Sequence, residues 1–254
     1  MPCGDGLDGK PVRLAVLADI HGNYRALAAV LADIAQVGVD RIFSLGDNIG
    51  YGPEPEEVVR TLLEHRIVSV MGNHELALVN RSYCSRLHAT ARDSLALTRS
   101  LLSPDSLAWL AALPAVYCDG GARYVHGCPP QSVTVYLYEP TESRLQRIFA
   151  AYPERFCFAG HTHDLGWHER TGAGVVSREA GIGRTALAAG ARYLLLPGSV
   201  GQPRDALSWH AKYMVWDQEA ATIDIRAVSY DVQTTIRLLG ERGFPASNAK
   251  RLFW

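Results

Sequence analysis

Residues 12–47 read VRLAVLADIHGNYRALAAVLADIAQVGVDRIFSLGD and contain two strand-like runs joined by a helix. Residues 12–19 are short, apolar and rich in strand-forming side chains, a pattern typical of a strand buried on both faces. Residues 23–37 carry apolar side chains at helical spacing, and Gly38 is placed to end that helix. Residues 41–47 form a second strand-like run, so the opening unit is predicted to be strand, helix, strand.

The same alternation continues beyond this unit. A helix is predicted to follow Pro53 and to end near His65, and residues 67–73 read as a third strand. Three such runs with intervening helices indicate a mostly parallel sheet. Later assignments are a helical stretch at residues 85–113, strands at 123–126, 156–160, 193–197 and 213–216, a hairpin or loop at 172–190, and a final helix at 230–243.

Composition limits the kinds of protein this chain can be. Its apolar fraction of 48% and charged fraction of 20% are those of a folded globular protein, and no repeat or long linker divides residues 1–254, which we expect to form one domain. No apolar run reaches the ~20 residues that span a bilayer, and residues 1–10 lack the features of a signal peptide. We therefore expect a cytoplasmic protein without a membrane partner.

Charge and cysteine usage exclude further classes. The net charge is −1, which provides no overall positive field for a stable nucleic-acid partner. The five cysteines are odd in number, scattered, and free of Cys-x-x-Cys pairs, so neither a disulfide framework nor a thiolate zinc site is expected. The cysteines are Cys3, Cys84, Cys118, Cys128 and Cys157.

Polar side chains follow the predicted strands at the point where each strand ends. Because sites in open α/β sheets form at the carboxyl ends of strands, we expect these side chains to meet. In Asp-x-His and His-x-His the two polar side chains lie on the same side of an extended segment. The groups are Asp19 and His21, Asp47, Asn73 with His74 and Glu75, His126, and His161 with His163.

The donor types in this set favour two cations. Two carboxylates, four imidazoles and one amide oxygen supply four ligands to each of two metals if one carboxylate bridges them. Mixed nitrogen and oxygen ligation without sulfur suits Mn, Fe, Zn, Co or Ni better than Ca, and open positions for water are typical of a catalytic site. A single His-x-His or Gly-Asp is more often a packing pair or a turn, but five such groups in order are not explained that way.

The order Asp-x-His, Gly-Asp, Gly-Asn-His-Glu, Val-His-Gly, Gly-His-Thr-His resembles the calcineurin-like metallophosphoesterase superfamily, with motifs spanning residues 19–163. Residues 46–58 (GDNIGYGPEPEEV) and 197–205 (PGSVGQPRD) resemble a prokaryotic branch related to diadenosine tetraphosphatases and serine/threonine phosphatases. The resemblance implies a four-layer α/β/β/α sandwich, in which two mixed sheets are flanked by helices. Residues 192–254 then complete or cap the core.

The resemblance also assigns ligands by matching motifs. One metal takes Asp19, His21, Asp47 and His163, and the other takes Asp47, Asn73, His126 and His161, so that Asp47 bridges them. The implied reaction is hydrolysis of a phosphate ester by a hydroxide that bridges two divalent ions. Mn is the first candidate for these ions, with Fe, Zn, Ni or Co as alternatives. His74 matches the histidine that faces the substrate and is expected to protonate the leaving oxygen or to stabilise its charge.

The substrate class is inferred from a departure from the family pattern. Protein phosphatases and diadenosine tetraphosphatases of this superfamily carry G-D-x-x-D-R-G and an arginine before G-N-H-E. This chain has residues 48–52 (NIGYG) and Met71 at those places, so both arginines are missing. A phosphodiester needs less cationic help than a phosphate dianion, and a small phosphodiester is therefore the expected substrate.

Three alternatives and two further residues remain open at this point. The alternatives are a phosphomonoesterase or protein phosphatase, a nucleotide phosphatase, and a non-catalytic metal-binding scaffold, although a scaffold is expected to lack His74 or several ligands. Arg204 is a candidate for substrate contact or for a surface ion pair. Tyr51 is a candidate to line the mouth of the cleft or to pack beneath its glycine turn. The sequence does not predict the oligomeric state.

Overall fold

A computed structural model describes residues 12–205 and 207–253 of the chain. The strands are β1 (Arg13–Leu17), β2 (Arg41–Ser44), β3 (Val68–Ser69), β4 (Val116–Asp119), β5 (Ala122–Val125), β6 (Phe156–Ala159), β7 (Leu165–Thr171), β8 (Gly174–Glu179), β9 (Gly183–Ala186), β10 (Arg192–Pro197), β11 (Ala211–Asp217) and β12 (Thr222–Val228). The helices are α1 (Tyr24–Val37), α2 (Pro55–Glu64), α3 (Asn73–Val79), α4 (Arg81–Cys84), α5 (Ala89–Leu101), α6 (Pro104–Ala111), α7 (Glu142–Ala150), α8 (Val232–Glu241) and α9 (Ala246–Lys250).

The strands form two six-stranded sheets. The first sheet has the order β3-β2-β1-β11-β12-β9 and the second has the order β4-β5-β6-β10-β7-β8. In the first sheet β3, β2 and β1 are parallel, whereas β11, β12 and β9 are added in antiparallel fashion. In the second sheet only β5, β6 and β10 are parallel. The predicted mostly parallel sheet is therefore wrong, and the mixed sheets implied by the family resemblance are confirmed.

The two sheets pack face to face, and helices cover their outer faces. Leu14 and Val16 of β1 point into the layer between the sheets, where they join Tyr124 and Phe158 of the second sheet. Ala15 and Leu17 point the other way, against α1 and α8. Because both faces of β1 are covered, its run is continuously apolar. Helix α7 covers the second sheet, which completes the expected α/β/β/α sandwich.

The helix predictions near the site hold closely. Helix α1 begins after Asn23, whose side chain accepts a hydrogen bond from the Ala26 amide, and it ends at Gly38, whose φ is 72°. This positive φ is the conformation that glycine adopts without steric cost. Helix α2 begins at Pro55 and ends before His65, and α8 lies within the predicted final helix.

The predicted hairpin or loop at residues 172–190 is wrong in its connectivity. Strand β8 pairs with β7 in the second sheet, whereas β9 pairs with β12 in the first. The segment therefore crosses from one sheet to the other. Strands β8 and β9 carry mostly exposed or half-buried side chains, so the sequence shows no alternating apolar pattern that would reveal them.

Two predicted absences can be compared with the described residues. No helix within them is long and apolar enough to cross a membrane. No disulfide joins Cys84, Cys118, Cys128 and Cys157, while Cys3 lies outside the described residues.

His168 on β7 predicts how stability depends on pH. Its side chain is buried, its Nδ1 lies 2.8 Å from the hydroxyl of Ser177, and its Nε2 has no partner among the described residues. Burial lowers the pKa of His168 to about 4. Because the unfolded chain takes up a proton near pH 6.5 and the folded chain does so only near pH 4, stability is lost as the pH falls between these values.

We expect His168→Phe to reduce this acid sensitivity. The free energy of unfolding of the wild type should fall between pH 7 and pH 5 by about 1–2 kcal/mol more than that of the variant. Urea unfolding at the two pH values measures the difference. His65→Gln changes an exposed histidine and serves as the control. Equal losses in the wild type and His168→Phe would contradict the prediction.

Candidate metal centre

Seven polar side chains meet between the ends of strands from both sheets. Asp19 and His21 follow β1, Asp47 follows β2, and Asn73 is the first residue of α3 after β3. His126 follows β5, and His161 and His163 follow β6. All seven are at most 5% exposed. The structure thus brings together the seven residues that were predicted as metal ligands, and we refer to the seven as the cage.

Distances divide the cage into two groups that share one carboxylate. His163 Nε2 lies 3.4 Å from Asp19 Oδ1 and 3.1 Å from His21 Nε2. On the other side, His126 Nε2 lies 3.0 Å from His161 Nδ1 and 3.2 Å from Asn73 Oδ1. Asp47 Oδ2 lies 3.8 Å from His21 Nε2 and 3.4 Å from His126 Nε2, between the two groups.

The backbone at the cage is held in an unfavourable conformation. Eight non-glycine residues in the described part of the chain have positive φ, and five of them belong to the cage. Such left-handed conformations are uncommon outside glycine, and they persist where the surrounding structure enforces them, which is often at functional sites. The five are Asp19 at 53°, His21 at 50°, Asp47 at 50°, His161 at 71° and His163 at 63°.

The outer nitrogen of each cage histidine faces a backbone carbonyl. The pairs are His21 Nδ1 with Ile49 O at 3.3 Å, His126 Nδ1 with Leu45 O at 2.9 Å, His161 Nε2 with Thr134 O at 3.3 Å, and His163 Nδ1 with Gln202 O at 2.6 Å. A carbonyl only accepts hydrogen bonds, so the outer nitrogen carries a proton, and each ring that is neutral directs a lone pair inward. Orientation of this kind is what metal-ligating histidines require.

The interior of the cage is therefore rich in acceptors that have nothing to accept. Asp19 Oδ1 is buried and has no hydrogen-bond partner among the described residues. Two ligands about 2.1 Å from one ion lie about 3.0–3.4 Å apart, which matches the shorter distances in the cage. Two groups of cage residues have the spacing of a site for a divalent ion, namely Asp19 with His21 and His163, and Asp47 with His126 and His161. A third such group joins His21 and Asp47 to His74, which lies outside the cage.

Ionisation in the cage follows from burial and from Asp47. Burial lowers the pKa of His21 and His163 well below the usual value, and it lowers that of His161 to about 3. Although burial opposes it, the Asp47 carboxylate raises the pKa of His126 to about 9. Without cations, His126 therefore holds a proton among surrounding acceptors, and metal binding has to displace it.

His74 lies at the rim of the cage. It is 3% exposed, and its Nε2 lies 4.0 Å from Asp47 Oδ2. Its ring packs edge-on against Tyr51, with the centroids 4.6 Å apart. A Cβ on residue 50 would collide with the His74 ring, so Gly50 is required at that turn. Burial lowers the pKa of His74, while the Asp47 charge opposes this effect.

Tyr51 and Arg204 both line the cavity in front of the cage. Tyr51 is 7% exposed and lies 4.9 Å from His21, between ring centroids, so it packs against the cage histidines. Arg204 forms no ion pair among the described residues but donates to Gln202 Oε1 at 3.0 Å. The surface ion pair considered for Arg204 is therefore not observed. Arg204 instead lies beside the cavity, where it can contact a substrate.

Glu75 is a supporting residue to which the sequence assigned no role. Its Oε1 accepts hydrogen bonds from the amides of Asn48 and Ile49, and its Oε2 accepts from those of Asp47 and Gly72. The carboxylate therefore fixes the turn that carries Asp47. The sequence carried a sign of this role, since a glutamate at the third position of a helix often accepts a hydrogen bond from the N-cap amide, as Glu75 does from Gly72.

Tyr136 and Arg251 also lie near the cage, although neither belongs to a sequence motif. Tyr136 stacks on His161 with the ring centroids 3.6 Å apart, and Tyr138 stacks on Tyr136 at 5.0 Å. Arg251 lies 5.4 Å from the centroid of the Tyr51 ring. Arg251 follows α9, far from every motif in the chain, so no local pattern could have selected it.

Comparisons with known proteins agree with this geometry. The sequence profile of the calcineurin-like phosphoesterase family matches residues 12–165. The chain is 32% identical to a metallophosphoesterase from Sphaerobacter thermophilus of known structure, over 96% of this chain and 98% of that one, with a TM-score of 0.83. It is 29% identical to the uncharacterized protein MJ0912 of Methanocaldococcus jannaschii, over 94% of this chain and 97% of that protein.

A shorter match joins the chain to a relative named by its activity. It is 31% identical to the symmetrical bis(5'-nucleosyl)-tetraphosphatase of Aromatoleum aromaticum over 43% of this chain and 42% of that protein. The alignment thus spans less than half of that relative.

Proposed function

The chain belongs to the calcineurin-like phosphoesterase family, and from this premise we propose that it is a dinuclear-metal phosphodiesterase acting on a small phosphate ester. Phosphoester hydrolysis is the activity of the family, and the diester preference is the finer part of the proposal. The observation that carries it is the cage, in which seven buried ligand side chains converge and four histidines turn their inner nitrogens toward one another.

The proposed ligands follow the two groups of the cage. Asp19, His21 and His163 hold one ion, Asn73, His126 and His161 hold the other, and Asp47 bridges them. Mn²⁺ is the proposed metal, with Fe, Zn, Ni or Co as alternatives. When bound, two such ions supply Lewis acidity that lowers the pKa of water and draws a phosphoryl group into the site.

The protein's own residues position these groups before substrate arrives. Backbone carbonyls fix the four imidazoles, and Glu75 fixes the turn that carries Asp47. Preorganised charge of this kind is usually the largest catalytic contribution, because nothing has to reorient during the reaction. His74, at the rim of the cage, is the proposed group that donates a proton or a hydrogen bond to the leaving oxygen.

The diester preference rests on the residues around the turn after Asp47. Tyr51 occupies the place of the phosphatase arginine in G-D-x-x-D-R-G, and its uncharged ring packs against His21 and His74. Arg204, which lines the same cavity, favours the second candidate, a phosphomonoesterase, because a guanidinium matches a phosphate dianion. A non-catalytic scaffold is the third reading, and it is opposed by the presence of all seven donors and His74.

Paired chromogenic substrates test the proposal. Metal-free protein is loaded with Mn²⁺, and kcat/KM is measured for bis-p-nitrophenyl phosphate and for p-nitrophenyl phosphate. We expect turnover that requires added metal and a higher value for the diester. A higher value for the monoester would overturn the diester preference, and no metal-dependent turnover on either substrate would favour the scaffold.

The role of His74 leads to a prediction about leaving groups. His74→Ala should reduce kcat on an alkyl diester by ~10²-fold or more, because an alkoxide needs a proton or a hydrogen bond to depart. The loss on bis-p-nitrophenyl phosphate should be clearly smaller, since p-nitrophenolate leaves without help. His88→Ala, which changes another histidine that lines the cavity, is the matched control. Equal losses on both substrates would argue against the assigned role.

A further inference from the structure

Two arginines lie in front of the cage, and the proposed reaction uses neither of them. Arg204 lines the cavity that contains the cage residues. Arg204 and Arg251 together line a neighbouring cavity of about 460 Å³, with Pro203 and Phe253. Arg204 is thus shared by the two cavities, so a molecule bound at the cage that extends past Arg204 reaches Arg251.

The segment that carries Arg204 is fixed to the cage. The Gln202 carbonyl orients His163 at 2.6 Å, and the Gln202 side chain accepts from Arg204 at 3.0 Å. The next residue, Asp205, forms an ion pair of 3.1 Å with Lys212, whose side chain is 0% exposed. A Cβ at residue 201 would overlap the carbonyl oxygen of Ile20, so Gly201 permits this close approach. Arg204 therefore has a defined position relative to the cage.

Arg251 is tied to the same region from the other end of the chain. Asn248, one turn earlier, donates to the carbonyl of Tyr51 at 2.8 Å and to the hydroxyl of Ser94 at 2.9 Å. Tyr51 in turn packs on His21 and His74. Within residues 12–205 and 207–253, no carboxylate lies within 4.0 Å of the nitrogens of Arg204 or Arg251. Their charges are therefore available to a bound anion.

The charge at the site exceeds what a simple diester requires. Two divalent ions, two carboxylates and one hydroxide sum to about +1, which already matches the single negative charge of a diester. The Arg204 and Arg251 guanidinium groups beside this centre add two positive charges. Guanidinium groups that line a cavity next to a phosphoryl site are well suited to bind a second phosphate.

We infer that Arg204 and Arg251 form a binding site for a second anionic group of the substrate. The substrate class is then a phosphodiester that carries a further phosphate on the part of the molecule retained beside Arg204. This inference rests on the proposed function, because it assigns the substrate of the same site. Arg204 contacts the anion from the cage side, and Arg251 contacts it from the side of the chain terminus.

Two chromogenic diesters that differ only in a second phosphate test the inference. They are thymidine 5'-(p-nitrophenyl phosphate) and the same compound with a 3'-phosphate, and both release p-nitrophenolate. For the Mn²⁺-loaded wild type we expect kcat/KM to be at least ~10-fold higher for the phosphorylated compound. Arg204→Gln and Arg251→Gln should each bring this ratio towards one.

Three further variants make the result specific. Arg251→Lys keeps the charge without the planar two-pronged donor and should give an intermediate ratio. Arg237→Gln, which changes an exposed arginine of α8, should keep the wild-type ratio. Lys212→Met should lower the ratio through Arg204 while leaving the contribution of Arg251. A wild-type ratio near one that neither glutamine variant changes would overturn the inference.

A binding measurement separates this inference from the proposed reaction. Isothermal titration calorimetry compares thymidine 3',5'-bisphosphate with thymidine 5'-monophosphate on the Mn²⁺-loaded protein. Tighter binding of the bisphosphate by the wild type, reduced in both glutamine variants, supports the anion site even if no ester is hydrolysed. Hydrolysis of bis-p-nitrophenyl phosphate without any preference for the bisphosphate leaves the proposed function intact and overturns the anion site.

Discussion

Asp47→Asn is expected to lower the Mn²⁺-dependent kcat at least ~10³-fold. It should also abolish most of the stabilisation that Mn²⁺ provides. Asp47 Oδ2 lies between the two groups of the cage, 3.8 Å from His21 Nε2 and 3.4 Å from His126 Nε2. An asparagine has one oxygen and no charge, and when that oxygen lies at the Oδ1 position an NH₂ group, which does not ligate cations, lies between the two groups. The variant therefore holds two cations far less well. We expect close to two Mn²⁺ ions per chain in the wild type and at most one in the variant.

The substitution is suited to the question because it keeps the shape of the side chain. Asp47 Oδ1 accepts a hydrogen bond from the His74 amide at 2.8 Å, and an asparagine oxygen can accept the same bond. The variant also removes the carboxylate that faces His126, so the metal-free protein should lose some stability, and metal binding is therefore measured well below its unfolding midpoint. We therefore expect a variant that is still folded at 25 °C but has lost most of its Mn²⁺.

Thermal unfolding and metal analysis measure these effects. At 100 times the dissociation constant, a bound ion stabilises the fold by about 2.7 kcal/mol, which raises Tm by roughly 5–10 °C in a chain of this size. The variant should show little of this rise. Asp93→Asn, which changes an exposed carboxylate on α5, is the control and should behave as the wild type. Two bound ions and a full rise in Asp47→Asn would contradict the bridging role.

The cage could be predicted from sequence because each donor directly follows a strand-like run. Asp19, Asp47 and His161 stand where apolar segments end, and parallel neighbours such as β1 and β2 place those ends together. The order of the motifs along the chain then identified the family, and the family supplied the two mixed sheets. In this part of the protein, the local sequence pattern therefore predicted which distant residues lie close together.

The parts that were missed depend on contacts between distant segments. Strand β9 is partly exposed and joins the first sheet through β12, which no local pattern indicates. Nothing in the sequence around Arg251 distinguishes it from any other arginine. Only the packing of Asn248 against Tyr51 brings it to the cavity. The mostly parallel sheet was predicted from the first three strands alone, and antiparallel β11 and β12 changed that result.

Glu75→Gln is expected to destabilise the fold and to abolish most activity although residue 75 touches no substrate. Burial and the nearby Asp47 charge raise the pKa of Glu75 to about 7, while amide donors oppose this effect. Each carboxylate oxygen accepts two backbone amides, at distances from 2.8 to 3.3 Å. Because both oxygens accept amide donors, the ionised carboxylate is the form that fits this turn.

A glutamine satisfies only half of this arrangement. Its oxygen accepts hydrogen bonds from two of the amides. Its NH₂ group faces the other two amides, and because all of these groups are donors, no hydrogen bond forms there. Hydrogen bonds to a charged group contribute about 1.5–3 kcal/mol each, so a loss of roughly 3–5 kcal/mol in the free energy of unfolding is expected. The turn that carries Asp47 and Asn48 is then free to move, and metal affinity should fall by 10–100-fold.

Denaturant unfolding and Mn²⁺ titration of Glu75→Gln measure the two effects separately, with Glu219→Gln as an exposed control. Glu75→Asp keeps the charge but shortens the side chain, so it should recover part of the stability and less of the metal affinity. If Glu75→Gln unfolds at the denaturant concentration of the wild type and binds Mn²⁺ as tightly, the four amides do not depend on the carboxylate. A loss of metal affinity in the two Glu75 variants, with Asp47 unchanged, would show that this turn is positioned by a side chain outside the cage.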